Sequence, residues 1–305
     1  MTKHSPRNVA ASVRQRLLNL ARSQGEDFQL VLTRYGVERL LYRLSQSRYR
    51  GQFILKGAML FQLWGGGMHR PTRDLDLLGQ GLNSPPTLAG IFTELCTLTV
   101  TDDGLRFLAE TVTAEQIKPD EEYQGIRVQL ECRLENARIR LQVDIGYGDV
   151  VTPQAGEITF PTALDFPAPV LRAYPRESVV AEKLQAMVSL GIANSRMKDF
   201  YDIWYLAGHF IFEGALLSEA IAKTFERRQT PISDELPLAL SKEFADDQAK
   251  QTQWLAFIRK AKLAPIDVAL HEVVAEIRAF LFPVLHALAK AEKFGRSWDP
   301  SGQWT

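Results

Sequence analysis

The segment Arg138-Ile-Arg-Leu-Gln-Val-Asp-Ile145 alternates without a break between polar and apolar side chains. Successive side chains of a β-strand point to opposite faces. Ile139, Leu141, Val143 and Ile145 therefore form a core face, and Arg138, Arg140, Gln142 and Asp144 lie opposite. A second extended stretch, roughly 126–134, precedes it, and Glu135-Asn136-Ala137 between the two gives a hairpin signal. The fold must therefore contain a sheet with one face buried and one polar face that carries a carboxylate.

The 305 residues, 46% hydrophobic and 24% charged, suit two globular domains, or one domain with a large appendage. Helical spacing covers Asn8–Ala21 and Asp27–Ser45. The apolar run Phe53–Leu55 leads through Lys56-Gly57 into a helical stretch, Ala58–Trp64, which Gly65-Gly66-Gly67 breaks. Asp74–Leu78 reads as a strand and Pro85–Leu98 as a helix. Residues 153–169, rich in Pro, Gly and Thr, read as a connection. Beyond about residue 175 the pattern is helical over 177–192, 196–210, 213–227 and 265–293. A linker lies near 230–237, and Pro283 is expected to kink the last helix. The polar tail Gly295–Thr305 carries two tryptophans, which either dock on the body or leave it loose. The expectation is a mixed α/β domain over 1–170 and a helical domain over 171–305.

Lys and Arg balance Asp and Glu, 36 against 36. A nucleic-acid partner would then need a local basic patch, because the global field is neutral. Arg34, Arg39, Arg43, Arg48 and Arg50 read either as a solvated helix surface or as a nucleic-acid contact. Cys96 and Cys132 are too few for a zinc site between them or a disulfide framework. The first residues lack the apolar core of a signal peptide, and no apolar run is long enough to span a bilayer. The expectation is a cytoplasmic chain with no membrane partner.

Asp74-Leu75-Asp76 places two carboxylates on one face of a strand and Leu75 and Leu77 on the other. Such a pair is either a solvated strand face or the holder of a divalent cation, and carboxylate oxygen suits Mg²⁺. Asp144 would be a third acid on the same face if its strand neighbours that of Asp74. Metal ions held by the three could orient a triphosphate, and Asp144 is then the candidate general base. Asp149, after Gly146 and Gly148, reads as a turn residue. Lys56-Gly57 at a strand–helix junction is either a plain turn or a phosphate-approaching backbone. Lys183 falls in the apolar stripe of one helix, among Val179, Val180, Leu184 and Met187. Asp199 falls in that of the next, with Asp202 at its edge and Ser195 as a possible N-cap. The pair is either a buried ion pair joining two helices or a lysine aimed at nucleotide phosphates and positioned by the acids.

Lys56-Gly57-Ala58-Met-Leu, Arg70-Pro-Thr72-Arg-Asp74-Leu-Asp76, Leu-Gln-Val-Asp144-Ile, Ala181-Glu-Lys183-Leu and Arg196-Met-Lys198-Asp199-Phe-Tyr-Asp202 follow one another in this order. Together they resemble the AbiEii/AbiGii-type nucleotidyltransferase toxins, which include the MenT toxins. The resemblance implies an α+β fold with a DNA polymerase β-like nucleotidyltransferase core and a helical C-terminal domain. It implies transfer of a nucleoside monophosphate from an NTP with Mg²⁺ (or Mn²⁺), in the MenT branch to the 3′ end of tRNA. It also implies an antitoxin partner, often a repressor of the same operon. By position, Asp74, Asp76 and Asp144 resemble the metal-binding acids and Lys183 the nucleotide-contacting lysine. Asp199 and Asp202 match the acids of the last motif, and Thr72 stands where the family has Ser or Thr. Arg70 and Thr72, leading into the acids, read as phosphate-facing. Ala58 departs from the family, which has a second glycine there. Two other readings stay open: a nucleotidyltransferase acting on a small molecule or protein, and a non-catalytic nucleotide-binding module.

Overall fold

The computed structural model describes residues 8–65, 70–81, 83–117, 125–261, 263 and 268–305. The chain is mixed α/β and divides into two compact units. The first holds residues up to Gly148 and Gly156–Ala173, and the second holds Asp149–Ala155 and Tyr174–Thr305.

The first unit contains α1 (Val9–Gln24), α2 (Phe28–Gln46), β1 (Phe53–Lys56), α3 (Leu60–Gly65), β2 (Asp74–Gly79), α4 (Pro85–Thr97), β3 (Leu105–Ile117), β4 (Gly125–Leu134), β5 (Ala137–Tyr147), β6 (Gly156–Thr159) and β7 (Val170–Ala173). Side-chain caps start its long helices. Asn8 accepts from the Ala11 amide, Asp27 from Leu30 and Ser84 from Thr87. Gly25 ends α1 in the left-handed conformation. The seven strands form one mixed sheet in the order β3-β4-β5-β2-β1-β7-β6. The hairpin expected from the alternation is β4–β5, and β2 runs parallel to β5.

The apolar face of β4 and β5 is fully buried. Helix α2 packs on it closely. A Cβ on Gly36 would stand 3.0 Å from Leu141 Cδ2 and 3.4 Å from Cys132 Sγ. The polar face of the same strands stays half-buried to exposed.

Two of the arginines read either as a solvated face or as a nucleic-acid contact are instead in the core. Arg39 and Arg43 are 0% and 5% exposed. Both donate to Asp103, Arg39 Nε at 3.1 Å and Arg43 Nη1 at 2.7 Å. Their partner lies some 60 residues away in sequence, so the helix alone does not show the pairing. Glu38, also buried, accepts from the Ala163 amide at 2.7 Å. Burial pushes its pKa from 4.5 up to about 7, against the opposing Ala163 hydrogen bond and the Arg39 charge. The folded state then holds a proton that the unfolded chain has released between those values. Stability should fall as pH rises from about 4.5 to about 7 and level off above. In urea titrations between pH 5 and 8, Glu38→Gln should show a visibly shallower fall than the native chain.

The second unit contains α5 (Arg176–Leu190), α6 (Met197–His209), β8 (Phe212–Glu213), α7 (Gly214–Arg227), α8 (Lys242–Asp246), α9 (Gln248–Lys260), α10 (Leu270–Ala289), β9 (Ser297–Asp299) and β10 (Gln303–Trp304). It is not all-helical, because β8, β9 and β10 form a small sheet. The tail docks. Trp298 is 1% exposed and donates to the Ala207 carbonyl, and Trp304 donates to that of Phe280. Pro283 lies inside one continuous helix, α10. Asp149 is more than a turn residue, since it accepts from Arg228 at the end of α7 at 2.9 Å.

Candidate active site

Strand register brings the acids of the first unit together. Asp76 pairs with Asp144 across the parallel β2–β5 ladder, and Asp74 pairs with Gln142. Residues in register on neighbouring strands point to the same side, about 5 Å apart. The three carboxylates therefore share the polar face while Leu75, Leu77, Val143 and Ile145 are buried behind them.

The ladder continues on both sides. Lys56 of β1 stands opposite Asp76, Arg127 of β4 opposite Asp144, and Glu115 of β3 opposite Arg127. One row across five strands thus reads Lys56, Asp76, Asp144, Arg127, Glu115, two adjacent acids flanked by cations. Arg127 grips Asp144 with two hydrogen bonds, Nε to Oδ1 at 2.8 Å and Nη2 to Oδ2 at 2.9 Å. Those bonds push the guanidinium pKa above its ordinary value. Desolvation opposes the shift, and the charges of Asp144, Asp74 and Glu115 add to it. Sequence alone does not single out Arg127. Its alternating strand is visible there, but the register that sets it against Asp144 is not.

Gly57 has a specific task. Its φ is +75°, and a Cβ there would fall 2.0 Å from Asp76 Oδ2 and 2.7 Å from Asp76 Cβ. The backbone that approaches closely at this turn approaches the Asp76 carboxylate, which lies directly against the glycine. A short 3₁₀ turn, Gly57–Met59, precedes α3. Arg70 and Thr72 precede β2, with the Thr72 hydroxyl donating to the Asp74 carbonyl at 3.4 Å.

A groove of about 670 Å³ opens on this face, with Asp74, Arg73, Gln129, Gln142, Arg138 and Arg140 among its walls. A larger concavity of about 830 Å³ lies by Tyr49, Gln80 and Glu94, at the end of β1 and β2 away from the acids.

In the second unit, α5 presents Lys183 to two acids of α6. Its ammonium lies 2.6 Å from Asp199 Oδ1 and 2.8 Å from Asp202 Oδ2. Both carboxylates are fully buried, and Lys183 keeps 14% of its side chain exposed. Arg196 Nε reaches the other oxygen of Asp199 at 2.7 Å. Asp202 is therefore not at the edge of the stripe but wholly inside. Ser195 does not cap α6. Asn194 instead accepts from the Arg196 amide, just ahead of the helix.

No helix among the described residues is long and apolar enough to cross a membrane. No curated protein matches the sequence. Two solved structures from Helicobacter pylori share the fold. JHP933 superposes with a TM-score of 0.51 at 17% identity, over 87% of this chain and 95% of its own. A second, described as a candidate nucleotidyltransferase, gives 0.50 at 17% identity over 87% and 98%. The family described as nucleotidyl transferase AbiEii toxin, type IV toxin–antitoxin system, matches residues 39–281, and that stretch spans β1, β2, β5, α5 and α6 with Asp74, Asp76, Asp144, Asp199 and Asp202. The chain belongs to this family and is a nucleotidyltransferase of the AbiEii toxin type.

Proposed function

We propose that the enzyme transfers a nucleoside monophosphate from an NTP to the 3′ end of tRNA, with Mg²⁺ (or Mn²⁺), on a DNA polymerase β-like core. The observation that carries this reading is the register of Asp74, Asp76 and Asp144 on one face of neighbouring parallel strands. In the reaction the 3′ hydroxyl oxygen attacks the α-phosphorus, the bond to the β-phosphate oxygen breaks, and pyrophosphate leaves.

The donor set is carboxylate oxygen throughout, which is what Mg²⁺ takes. Among the described residues, however, no three His, Cys, Asp or Glu side chains close on one metal-sized point. In this arrangement both oxygens of Asp144 accept from Arg127. Asp74 and Asp76 would hold the ion, and Asp144 would join them if its oxygens were released from Arg127. The ion would supply charge for the phosphates and for the attacking oxygen. Asp144, so released, takes the hydroxyl proton. Lys56, Gly57, Arg70 and Thr72 approach the phosphates. Lys183, steadied by Asp199 and Asp202, contacts the nucleotide.

A toxin of this kind has an antitoxin partner. We assign that partner a second role as repressor of the shared operon.

Purified protein, each of the four labelled NTPs, Mg²⁺ and total RNA test the reading. Label should appear on tRNA and vanish when the 3′ end is blocked or EDTA is added. Asp74→Ala should lower transfer by about a hundredfold or more, because several kcal/mol of transition-state charge stabilisation goes with the ion, at a factor of ten per 1.4 kcal/mol. If RNA takes no more label than in the Asp74→Ala control, the tRNA reading fails. Label on protein or on a small molecule would replace it.

A further inference from the structure

The polar sheet face that carries the acids also carries arginines, and they are ordered. Arg106 of β3 pairs in register with Arg133 of β4, and Arg133 with Arg138 of β5. All three are exposed. Like charges directly opposite on neighbouring strands repel. Arg138 leans onto Glu131, as does Arg140 at 3.4 Å. Among the described residues, neither Arg106 nor Arg133 has a carboxylate partner within ion-pair distance. In a chain of zero net charge four arginines thus gather on one patch, and among the described residues Glu131 is the one acid that forms ion pairs with them.

The patch is aligned with the acids. Moving along β5, the row at Arg138 is followed by Arg140, then by Gln142 beside Asp74, then by Asp144 beside Asp76. Six residues separate Arg138 from Asp144, about 20 Å at roughly 3.3 Å per residue. That is about six stacked nucleotides at 3.4 Å per nucleotide of one strand. The strand β5 outruns β2 at this end, since the ladder between them begins at Asp74 and Gln142. The groove occupies this step, with Arg138 and Arg140 at one end and Asp74 at the other.

We propose that β3, β4 and β5 form the track for the acceptor RNA. Arg106, Arg133, Arg138 and Arg140 hold backbone phosphates of a single-stranded 3′ segment, whose terminal hydroxyl reaches the Asp74–Asp76–Asp144 row. This rests on the RNA-acceptor reading for its substrate and adds where the RNA lies. The arginines hold phosphates and leave bases unread, so affinity follows ionic strength more than sequence.

The test is binding, separated from chemistry. A labelled tRNA transcript is titrated with the full-length native chain, with the Arg106→Ser/Arg133→Ser/Arg138→Ser variant, and with the Arg→Lys triple at the same positions. The Ser variant should bind at least tenfold more weakly at 100 mM salt. Its slope of log K against log salt should be shallower by about two, at about 0.7 for each single-strand phosphate that is no longer neutralised. The Lys variant should keep most of the affinity, and all three should melt alike and bind a fluorescent NTP equally. The proposal is overturned if the Ser variant binds tRNA with native affinity and slope, or if the native chain binds no RNA. Native binding that the Ser variant loses, without label transfer by either, would keep the track and remove tRNA as the acceptor.

Discussion

Gly57→Ala should give a folded chain that transfers almost no nucleotide. The added Cβ would fall 2.0 Å from Asp76 Oδ2 and 2.7 Å from both Cβ and Cγ of that residue. Turning the carboxylate alone cannot clear the Cβ overlap, so β2 or the turn must shift. Alanine at φ +75° adds backbone strain of about 1–2 kcal/mol. The stability cost should therefore be modest and the catalytic cost large. Displacing a reacting group by about 1 Å is enough to lose on the order of a hundredfold in rate. A melting curve and the labelled-NTP assay on the same preparation check both halves. Gly90→Ala is the control. Gly90 lies in α4, where an added Cβ meets nothing within 4 Å, so the change should be neutral or slightly stabilising. Native transfer by the Gly57→Ala chain would show that Asp76 need not lie against this turn.

Lys183→Met should destabilise the second unit severely. The substitution strips the shared ammonium from Asp199 and Asp202, both fully buried, and leaves Arg196 on the second oxygen of Asp199. Removing one partner from a buried ion-pair cluster costs about 3–5 kcal/mol, because the surviving charge is left uncompensated away from water. The urea midpoint should drop accordingly. Adding Asp199→Asn and Asp202→Asn to Lys183→Met should recover part of the loss, since the buried carboxylate charges then go with the ammonium. Lys183→Arg separates the two roles. It keeps the charge, so stability should largely persist, while an ammonium needed at a particular point on a nucleotide would be lost. A midpoint unchanged in Lys183→Met would mean that the cluster does not hold α5 to α6.

What the sequence shows and what it hides divide along a physical line. Features set by neighbours in the chain are readable. The alternation in 138–145 is β5, and Asn8, Asp27 and Ser84 sit where caps belong. Lys183 and Asp199 stand out because a charge inside an apolar stripe needs a partner, and each is the other's. Features set by distant neighbours are not readable. Nothing local pairs β2 with β5 or sets Arg127 on Asp144. Arg39 and Arg43 look like a wet helix face until Asp103 arrives between them. Strand β3 is hidden because its register slips between Leu108 and Thr113, which breaks the period of two. Strand β6, with no buried residue, passes for part of the connection read over 153–169, and the four residues of β7 follow it unread.

The segment Asp149–Ala155 belongs to the second unit, although first-unit residues flank it on both sides. It is well fastened there. The Thr152 amide donates to the Ser178 hydroxyl at 2.8 Å, that hydroxyl donates back to the Thr152 carbonyl, and Asp149 receives Arg228. The two units are therefore interleaved in the gene. A fragment ending at Gly148 forfeits β7 and the edge strand β6, and one ending at Ala173 carries seven residues whose partners have been cut away. A single recombination crossover cannot exchange one unit intact for a homologue's. Their histories are tied together, and sheet and helices must be inherited, varied and engineered as one piece.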